Sequence, residues 1–229
     1  MRSATLFGYQ LALDAGVVLR DQRLKSRLGM LVKLVDEQGE GWGEIAPLPQ
    51  FSTESPEQAQ MQAVKWLERW CRGEQPPESP LPSVAFGISC AQAELAGQLP
   101  AEGCWQSAQL CSGDPDTLFG RLQNQPAPLA KMKVGLYEAV RDGMQVNLLL
   151  EALPGLTLRL DANRSWTLEK ALQFARYIST ELRGRIAFIE EPCRTVAESM
   201  AFARQTGIAI AWDESLRDDA TLLSAQQGV

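Results

Sequence analysis

The stretch Leu158-Arg159-Leu160-Asp161 is a short apolar run closed by a carboxylate, and two later stretches repeat this arrangement. They are Ile186-Ala187-Phe188-Ile189-Glu190 and Ile208-Ala209-Ile210-Ala211-Trp212-Asp213. A fourth stretch lies a similar interval earlier and carries amines in place of acids, namely Ala130-Lys131-Met132-Lys133-Val134. Intervals of this size accommodate a strand, a helix and two loops, which is the repeat of a β/α barrel. Because successive parallel strands end at the same edge of a sheet, we expect these acids and amines to converge.

The second part of the chain, from about residue 99, alternates short apolar strands with amphipathic helices, which is typical of parallel βαβ units. Residues 107–110 are predicted to form the first strand, which makes five strands in all. Helices are predicted to start at Asp114 and to span residues 137–153, 167–179, 197–205 and 219–227. Eight strands would close a barrel, so the sequence predicts an incomplete one.

The first part of the chain has a different pattern. Strands are predicted over residues 6–13, 29–35 and 43–46, with a turn between the last two. A helix is expected with Ser55 as N-cap, Pro56 at its first position and Gly73 as its stop, followed by a helix over residues 83–95. We therefore predict an α+β domain over residues 1–98 and a partial barrel domain over residues 99–229.

The charge balance limits the partners of this chain. A net charge of −6 and a pI near 4.9 argue against a nucleic-acid surface, which needs clustered Lys and Arg. The sequence contains no apolar segment long enough to span a bilayer, and its start does not resemble a signal peptide. We predict a cytoplasmic protein that acts on a small molecule and binds neither nucleic acid nor membrane. The sequence leaves its oligomeric state open.

The absence of histidine narrows the chemistry further. Catalytic triads built on histidine and typical zinc sites are excluded. The five cysteines have no C-x-x-C spacing; Cys104 and Cys111 could in principle pair, but thiols are favoured in a reducing cytosol. Any metal is therefore expected to be bound by oxygen, which favours Mg²⁺, Mn²⁺ or Ca²⁺.

The strand-end acids and the two lysines suit one kind of reaction. Asp161, Glu190 and Asp213 could supply three metal ligands, and Lys133 is placed one strand away as a base. Lys131 and Lys133 alternate on a strand, so both point to the same face. Together they suit removal of a proton next to a carboxylate, with a metal stabilising the resulting charge. One acid at a strand end more often caps a helix; three in phase with Lys133 favour the metal site.

Two acids beside these residues have other readings. Glu191 is predicted to be a structural carboxylate that supports the site and not a fourth ligand. Glu214 could either cap the following helix or orient a ligand, and the sequence leaves both readings open.

Four short motifs at these strand ends resemble the enolase superfamily in its muconate-lactonising branch. They are Lys131-Met132-Lys133-Val134-Gly135, Asp161-Ala162-Asn163-Arg164, Glu190-Glu191-Pro192 and Asp213-Glu214-Ser215. Within that branch, residues 14–20, 41–49 and 133–143 resemble the o-succinylbenzoate synthase family.

This resemblance implies an α+β capping domain over a modified (β/α)₇β TIM barrel, here with about five strands. It implies Mg²⁺, with Mn²⁺ as the alternative, bound by Asp161, Glu190 and Asp213. Lys133 would remove the proton α to the substrate carboxylate and protonate the departing hydroxide, with electrostatic help from Lys131. Arg159 and Asn163 would help to position the substrate. The reaction implied is the syn dehydration of 2-succinyl-6-hydroxy-2,4-cyclohexadiene-1-carboxylate to o-succinylbenzoate.

The resemblance also implies two covering loops and one further lysine, and this sequence contains the loops but not that lysine. Loops around residues 18–27 and 47–53 would cover the substrate, and a second lysine would lie on a strand after Asp213. Because the chain ends before that strand, we expect a truncated polypeptide with little or no dehydration activity. Two other functions remain open: an N-acylamino acid racemase or dipeptide epimerase of the same superfamily, and a non-catalytic metal-binding fragment.

Overall fold

The computed structural model describes residues 1–13, 18–19, 22–49, 51–100, 103, 107–111 and 115–224. The chain divides into two compact units, Met1–Cys104 and Trp105–Val229. The boundary expected from the sequence, between residues 98 and 99, lies a few positions earlier. Three expectations lie outside the described residues: the helix start at Asp114, the pairing of Cys104, and the helix end at residues 225–227.

The first unit is an antiparallel sheet with two helices on one face. Its elements are β1 (Ser3–Ala12), β2 (Val18–Leu19), β3 (Gln22–Arg23), β4 (Ser26–Val35), β5 (Glu40–Ile45), α1 (Pro56–Cys71) and α2 (Pro82–Leu95). The main sheet has the order β1-β4-β5, and β2 pairs with β3 in a separate hairpin. Alternating residues of β4 and β5, including Val32, Leu34 and Ile45, are fully buried in the core that includes residues of α1 and α2.

Two local features set this packing. Helix α1 starts as predicted, because Ser55 Oγ accepts a hydrogen bond from the Gln58 backbone N–H and the Gln58 side chain accepts one from the Ser55 N–H. Helix α2 approaches β5 closely, and a Cβ at Gly43 would collide with the Gly87 carbonyl. Position 43 therefore has to be glycine if the helix and the strand are to pack this closely.

The second unit is a β/α repeat. Its elements are β6 (Gln109–Leu110), α3 (Pro115–Gln123), β7 (Leu129–Lys133), α4 (Ala139–Ala152), β8 (Thr157–Asp161), α5 (Leu168–Arg176), α6 (Thr180–Arg183), β9 (Ile186–Glu190), α7 (Val196–Thr206), β10 (Ile210–Ala211), α8 (Glu214–Asp218) and a 3₁₀ helix (Ala220–Ser224). The five strands are parallel and follow sequence order, β6-β7-β8-β9-β10. The predicted barrel-type sheet of five strands is confirmed.

The two faces of this sheet differ in chemistry. Ala130, Leu158, Leu160 and Ile189 are fully buried in a core that includes residues of α4, α5 and α7. The residues that alternate with them on β7 and β8 are charged, namely Lys131, Lys133, Arg159 and Asp161. The core helices cover the apolar side chains, so the charged ones are left on the opposite face.

Within the described residues, the helix predicted to begin at Asp219 is wrong. The chain instead forms α8 directly after Asp213, and then a 3₁₀ helix that starts at Ala220. Asp219 is extended (φ −147°, ψ 96°), and its carboxylate accepts hydrogen bonds from the Thr221 backbone N–H and hydroxyl. This local turn separates the two short helices. The sequence did not indicate α8 because five residues are too few to display a helical period.

No helix within the described ranges is both long and apolar enough to cross a membrane. The cysteines at positions 71, 90, 111 and 193 are all free thiols. Burial raises the pKa of Cys111 and of Cys193 to about 11, so both remain protonated at neutral pH.

Arg185, directly before β9, donates hydrogen bonds to three backbone carbonyls at and after the end of α4. Its Nη2 donates to the carbonyls of Leu150 (2.8 Å) and Leu153 (2.5 Å), and its Nε donates to Leu156 O (3.1 Å). The first two carbonyls lie at the end of α4, where the helix itself supplies no donors. The guanidinium therefore fixes the end of α4 to the start of β9.

We expect Arg185→Met to lower the free energy of unfolding by about 1.5–3 kcal/mol, because the buried carbonyls lose a charged donor. Urea denaturation followed by circular dichroism measures the change. The matched control is Arg204→Met, at an exposed position of α7, which should stay within about 0.5 kcal/mol of the unsubstituted chain. Equal stability of the two variants would contradict the role of Arg185.

Candidate active site

Lys131 lies between two of the predicted metal ligands. Its Nζ is 3.0 Å from Asp161 Oδ2 and 2.8 Å from Glu190 Oε2. The strand register sets the strand ends side by side, because Lys133 pairs with Asp161 and Asp161 pairs with Glu190. Lys131 lies two residues before Lys133 on the same face of β7, and its side chain reaches both carboxylates. Two carboxylates thus share one ammonium group where three strands end.

The surroundings of Lys131 keep it protonated. Partial burial of the amine opposes its charge, but the hydrogen bonds and charges of Glu190 and Asp161 outweigh this effect and raise the pKa of Lys131. The Asp161 side chain is only 6% exposed, so it needs a nearby cation.

Lys133 has a different environment on the same strand. Its side chain is exposed, and its Nζ donates to Asn163 Oδ1 at 3.0 Å. Asn163 also connects its neighbours: its backbone N–H donates to Asp161 Oδ1 (3.2 Å) and its Nδ2 to Glu214 Oε1 (3.2 Å). Asn163 has a left-handed backbone (φ 44°), a conformation that asparagine adopts more readily than most residues. The amine that is predicted to act as base is therefore open to a ligand.

Glu191 is a buried carboxylate with four hydrogen-bond donors. It is 1% exposed and accepts bonds from Asp213 N (2.8 Å), Ser215 N (2.7 Å), Ser215 Oγ (2.8 Å) and Arg164 Nε (3.3 Å). Both of its oxygens are occupied, which suits a supporting carboxylate and leaves little capacity for a metal. Arg164 also donates to Asp218 at 2.7 Å. Sequence reasoning missed Arg164, Ser215 and Asp218, although Arg164 and Ser215 belong to the quoted motifs.

Asp213 lies two residues beyond β10, at the position before α8. Its carboxylate is exposed and makes no capping hydrogen bond to that helix, although Asp213 is the N-cap residue. The common structural use of a strand-end acid is therefore not found here. The backbone N–H of Asp213 donates to Glu191, so Asp213 is held through its backbone and not through its side chain.

The donor set suits a divalent cation, although the side chains do not form a complete cage. Within the described ranges no three acidic or cysteine side chains are gathered so that they could hold a metal. Asp161 and Glu190 instead converge on the Lys131 ammonium, which lies between two of the three predicted ligands. With oxygen as the only donor type, the set fits Mg²⁺ better than zinc.

Arg159 lies on β8 two residues before Asp161, and it pairs with Lys131 of β7 in the strand register. Its guanidinium carbon is 5.6 Å from the centre of the Phe188 ring. Its Nε is buried and has no acceptor in the described part of the chain, and Glu214 Oε2 is likewise buried without a donor there. The structure thus brings Lys131, Lys133, Asp161, Asn163 and Glu190 into one connected group. Within the described residues, the side chains of Arg159 and Asp213 make no hydrogen bond to that group.

The two loops predicted to cover the substrate belong to the first unit. Residues 20, 21 and 50 of these loops lie outside the described residues.

Comparison with known families divides the chain into two matches. Residues 1–95 match the family model described as "MenC, N-terminal domain", and residues 121–226 match "Enolase C-terminal domain-like". The o-succinylbenzoate synthase of Edwardsiella ictaluri (strain 93-146) is 63% identical over 230 residues, which covers 100% of this chain and 71% of that relative.

Solved structures give the same picture. The crystal structure of o-succinylbenzoate synthase from Thermosynechococcus elongatus BP-1, complexed with Mg in the active site, superposes with a TM-score of 0.71 at 26% identity. That match covers 98% of this chain and 73% of that chain. An L-Ala-D/L-Glu epimerase superposes with a TM-score of 0.68 at 20% identity, covering 99% of this chain and 73% of that one. The likeness to the epimerase concerns the fold alone.

We expect Glu191→Gln to destabilise the second unit by about 1–3 kcal/mol, because the amide nitrogen of glutamine would face donors that need an acceptor. Chemical denaturation gives the difference in the free energy of unfolding. Glu181→Gln, an exposed change on α6, serves as the control and should have almost no effect. If the two substitutions were equally mild, Glu191 would not hold the Asp213 segment.

Proposed function

This chain belongs to the o-succinylbenzoate synthase family of the enolase superfamily, and we propose that it carries the family's Mg²⁺-dependent syn dehydration of 2-succinyl-6-hydroxy-2,4-cyclohexadiene-1-carboxylate. Enzymes of this family are carbon–oxygen hydro-lyases of menaquinone biosynthesis. The chain spans 71% of the length of its Edwardsiella relative. One observation carries the proposal: Asp161 and Glu190 both bind the Lys131 ammonium, and Lys133 is exposed on the same strand.

Asp161, Glu190 and Asp213 would hold the Mg²⁺ ion, and Mn²⁺ would be accepted by the same oxygens. When bound, the metal would stabilise the negative charge that develops on the substrate carboxylate as the α-proton leaves. Support comes from the all-oxygen donor set and from the cation that two of the three carboxylates already bind.

Lys133 would do the proton transfers. In its neutral amine form it would take the proton from the carbon next to the carboxylate, and the C–H electrons would move into that carboxylate. Return of these electrons to the ring would expel hydroxide, and the Lys133 ammonium would then protonate it to water on the same face of the ring. One amine that takes and returns a proton on one side gives a syn elimination.

The neighbouring residues would orient the amine and the substrate. Asn163 holds the Lys133 amine through its side-chain carbonyl, 3.0 Å away, and would thereby fix the direction from which the proton is taken. Lys131 would assist as a positive charge near the substrate, and Arg159, with one buried N–H lacking an acceptor in the described chain, would bind an oxygen of the substrate. A cytoplasmic location stays a prediction from the sequence.

The racemase and epimerase alternative would use the same carboxylates and Lys133. The chain is 63% identical to a synthase over its whole length, whereas its 20% identity to an epimerase carries only the fold. We therefore favour the synthase reaction over the epimerisation.

We expect Lys133→Ala to lower the dehydration rate by about 10²- to 10⁴-fold, the usual contribution of a positioned base. Formation of the aromatic product is followed by ultraviolet absorbance with protein in excess over substrate. The Mg²⁺ dissociation constant, measured by calorimetry, should change by no more than about threefold, since the exposed Lys133 amine contacts Asn163 and not a carboxylate.

Lys170→Ala, at an exposed position of α5, is the matched control and should react like the unsubstituted chain. Equal rates in the Lys133 variant and this control would remove Lys133 from the mechanism. Mg²⁺ binding by the unsubstituted chain without any product would favour the non-catalytic alternative.

A further inference from the structure

The Lys131 ammonium occupies the oxygen atoms that a metal would need. It is bonded to Asp161 Oδ2 and to Glu190 Oε2, and Asp161 Oδ1 already accepts the Asn163 backbone N–H. We infer that Lys131 is a counter-cation that competes with the metal for these oxygens, an inference that rests on the proposed function. Metal binding would then be an exchange in which the Lys131 amine leaves the two carboxylates.

Charge balance supports the exchange. The Asp161 side chain is 6% exposed and that of Glu190 is 19% exposed, so neither carboxylate is well hydrated. Two such carboxylates side by side repel each other unless a cation lies between them. Lys131 supplies that cation when no metal is bound, and a divalent ion bound to the same oxygens would repel it.

No other described basic residue meets this requirement. Lys133 donates to the neutral amide oxygen of Asn163, and the Arg159 guanidinium lies over the Phe188 ring. Among the ion pairs of the described residues, only those of Lys131 involve a predicted metal ligand. The competition is therefore assigned to one of two lysines on the same strand.

The exchange predicts two effects of opposite sign. Removing the Lys131 amine should make the metal bind more tightly, because nothing has to be displaced. The same change should destabilise the metal-free protein, because two poorly hydrated carboxylates lose their partner. A residue that only packs in the site would not strengthen metal binding when it is removed.

Lys131→Met is the test variant, because methionine keeps most of the side-chain length without its charge. Lys133→Met is the matched control, because it removes the same charge two residues away on the same face. Titration calorimetry with MgCl₂ at constant pH and ionic strength measures the dissociation constants. Thermal unfolding in EDTA and in saturating MgCl₂ measures stability in the two states.

We expect Lys131→Met to bind Mg²⁺ at least about tenfold more tightly than the unsubstituted chain, because two charge-assisted hydrogen bonds no longer compete. Lys133→Met should stay within about threefold. In EDTA the unfolding midpoint of Lys131→Met should fall by several degrees, and saturating Mg²⁺ should largely restore it. Lys131→Gln provides a second variant, with the same expectations, if the methionine variant does not fold.

Mg²⁺ binding by the unsubstituted chain, combined with equal or weaker binding by the Lys131 variants, would overturn the exchange and leave the proposed function intact. Absence of Mg²⁺ binding in the unsubstituted chain and in every variant would overturn the metal site and the proposed function, and the exchange with them.

Discussion

The parallel register of β7, β8 and β9 is the constraint on which the site depends. Lys133 pairs with Asp161, and Asp161 pairs with Glu190, so three charged residues are brought to one edge of the sheet. Alternation along the strands turns residues such as Leu158 and Leu160 toward the core on the other face. A shift of one residue in the pairing would bury the charges and expose the core. The hydrophobic packing of the unit and the placement of its chemistry are thus fixed by the same pairing.

Much of this arrangement could be predicted, because strand ends and side-chain alternation follow directly from the order of residues. The five strands, their order and the convergence of Asp161 with Glu190 follow from the repeated apolar runs. The partners of individual side chains could not be predicted, since alternation fixes the face of Lys131 and Lys133 but not the acceptor each amine reaches. The hydrogen bonds of Glu191 were equally hidden, because two of its donors are backbone N–H groups whose directions depend on the loop after β10. Helix α8 was missed because it is too short to have a pattern.

The two lysines of β7 have distinct surroundings although only one residue separates them. Lys131 is partly buried and ion-paired with two carboxylates, whereas Lys133 is exposed and held by a neutral amide. An amine locked between two anions is a poor proton acceptor, because the anions favour its charged form. The proposed division between a charge-balancing lysine and a proton-transferring one therefore follows from what each amine contacts.

Strand β9 is anchored at one end and carries a predicted metal ligand at the other. Arg185, just before its first residue, ties the strand to the carbonyls of α4, while Glu190 closes it at the opposite edge of the sheet. The residue that anchors the strand and the predicted metal ligand are therefore separated by the length of the strand. Substitutions that stabilise the end of β9 near Arg185 against heat can therefore accumulate without altering the end that carries Glu190. Such a scaffold can change the substrate it binds while keeping its fold.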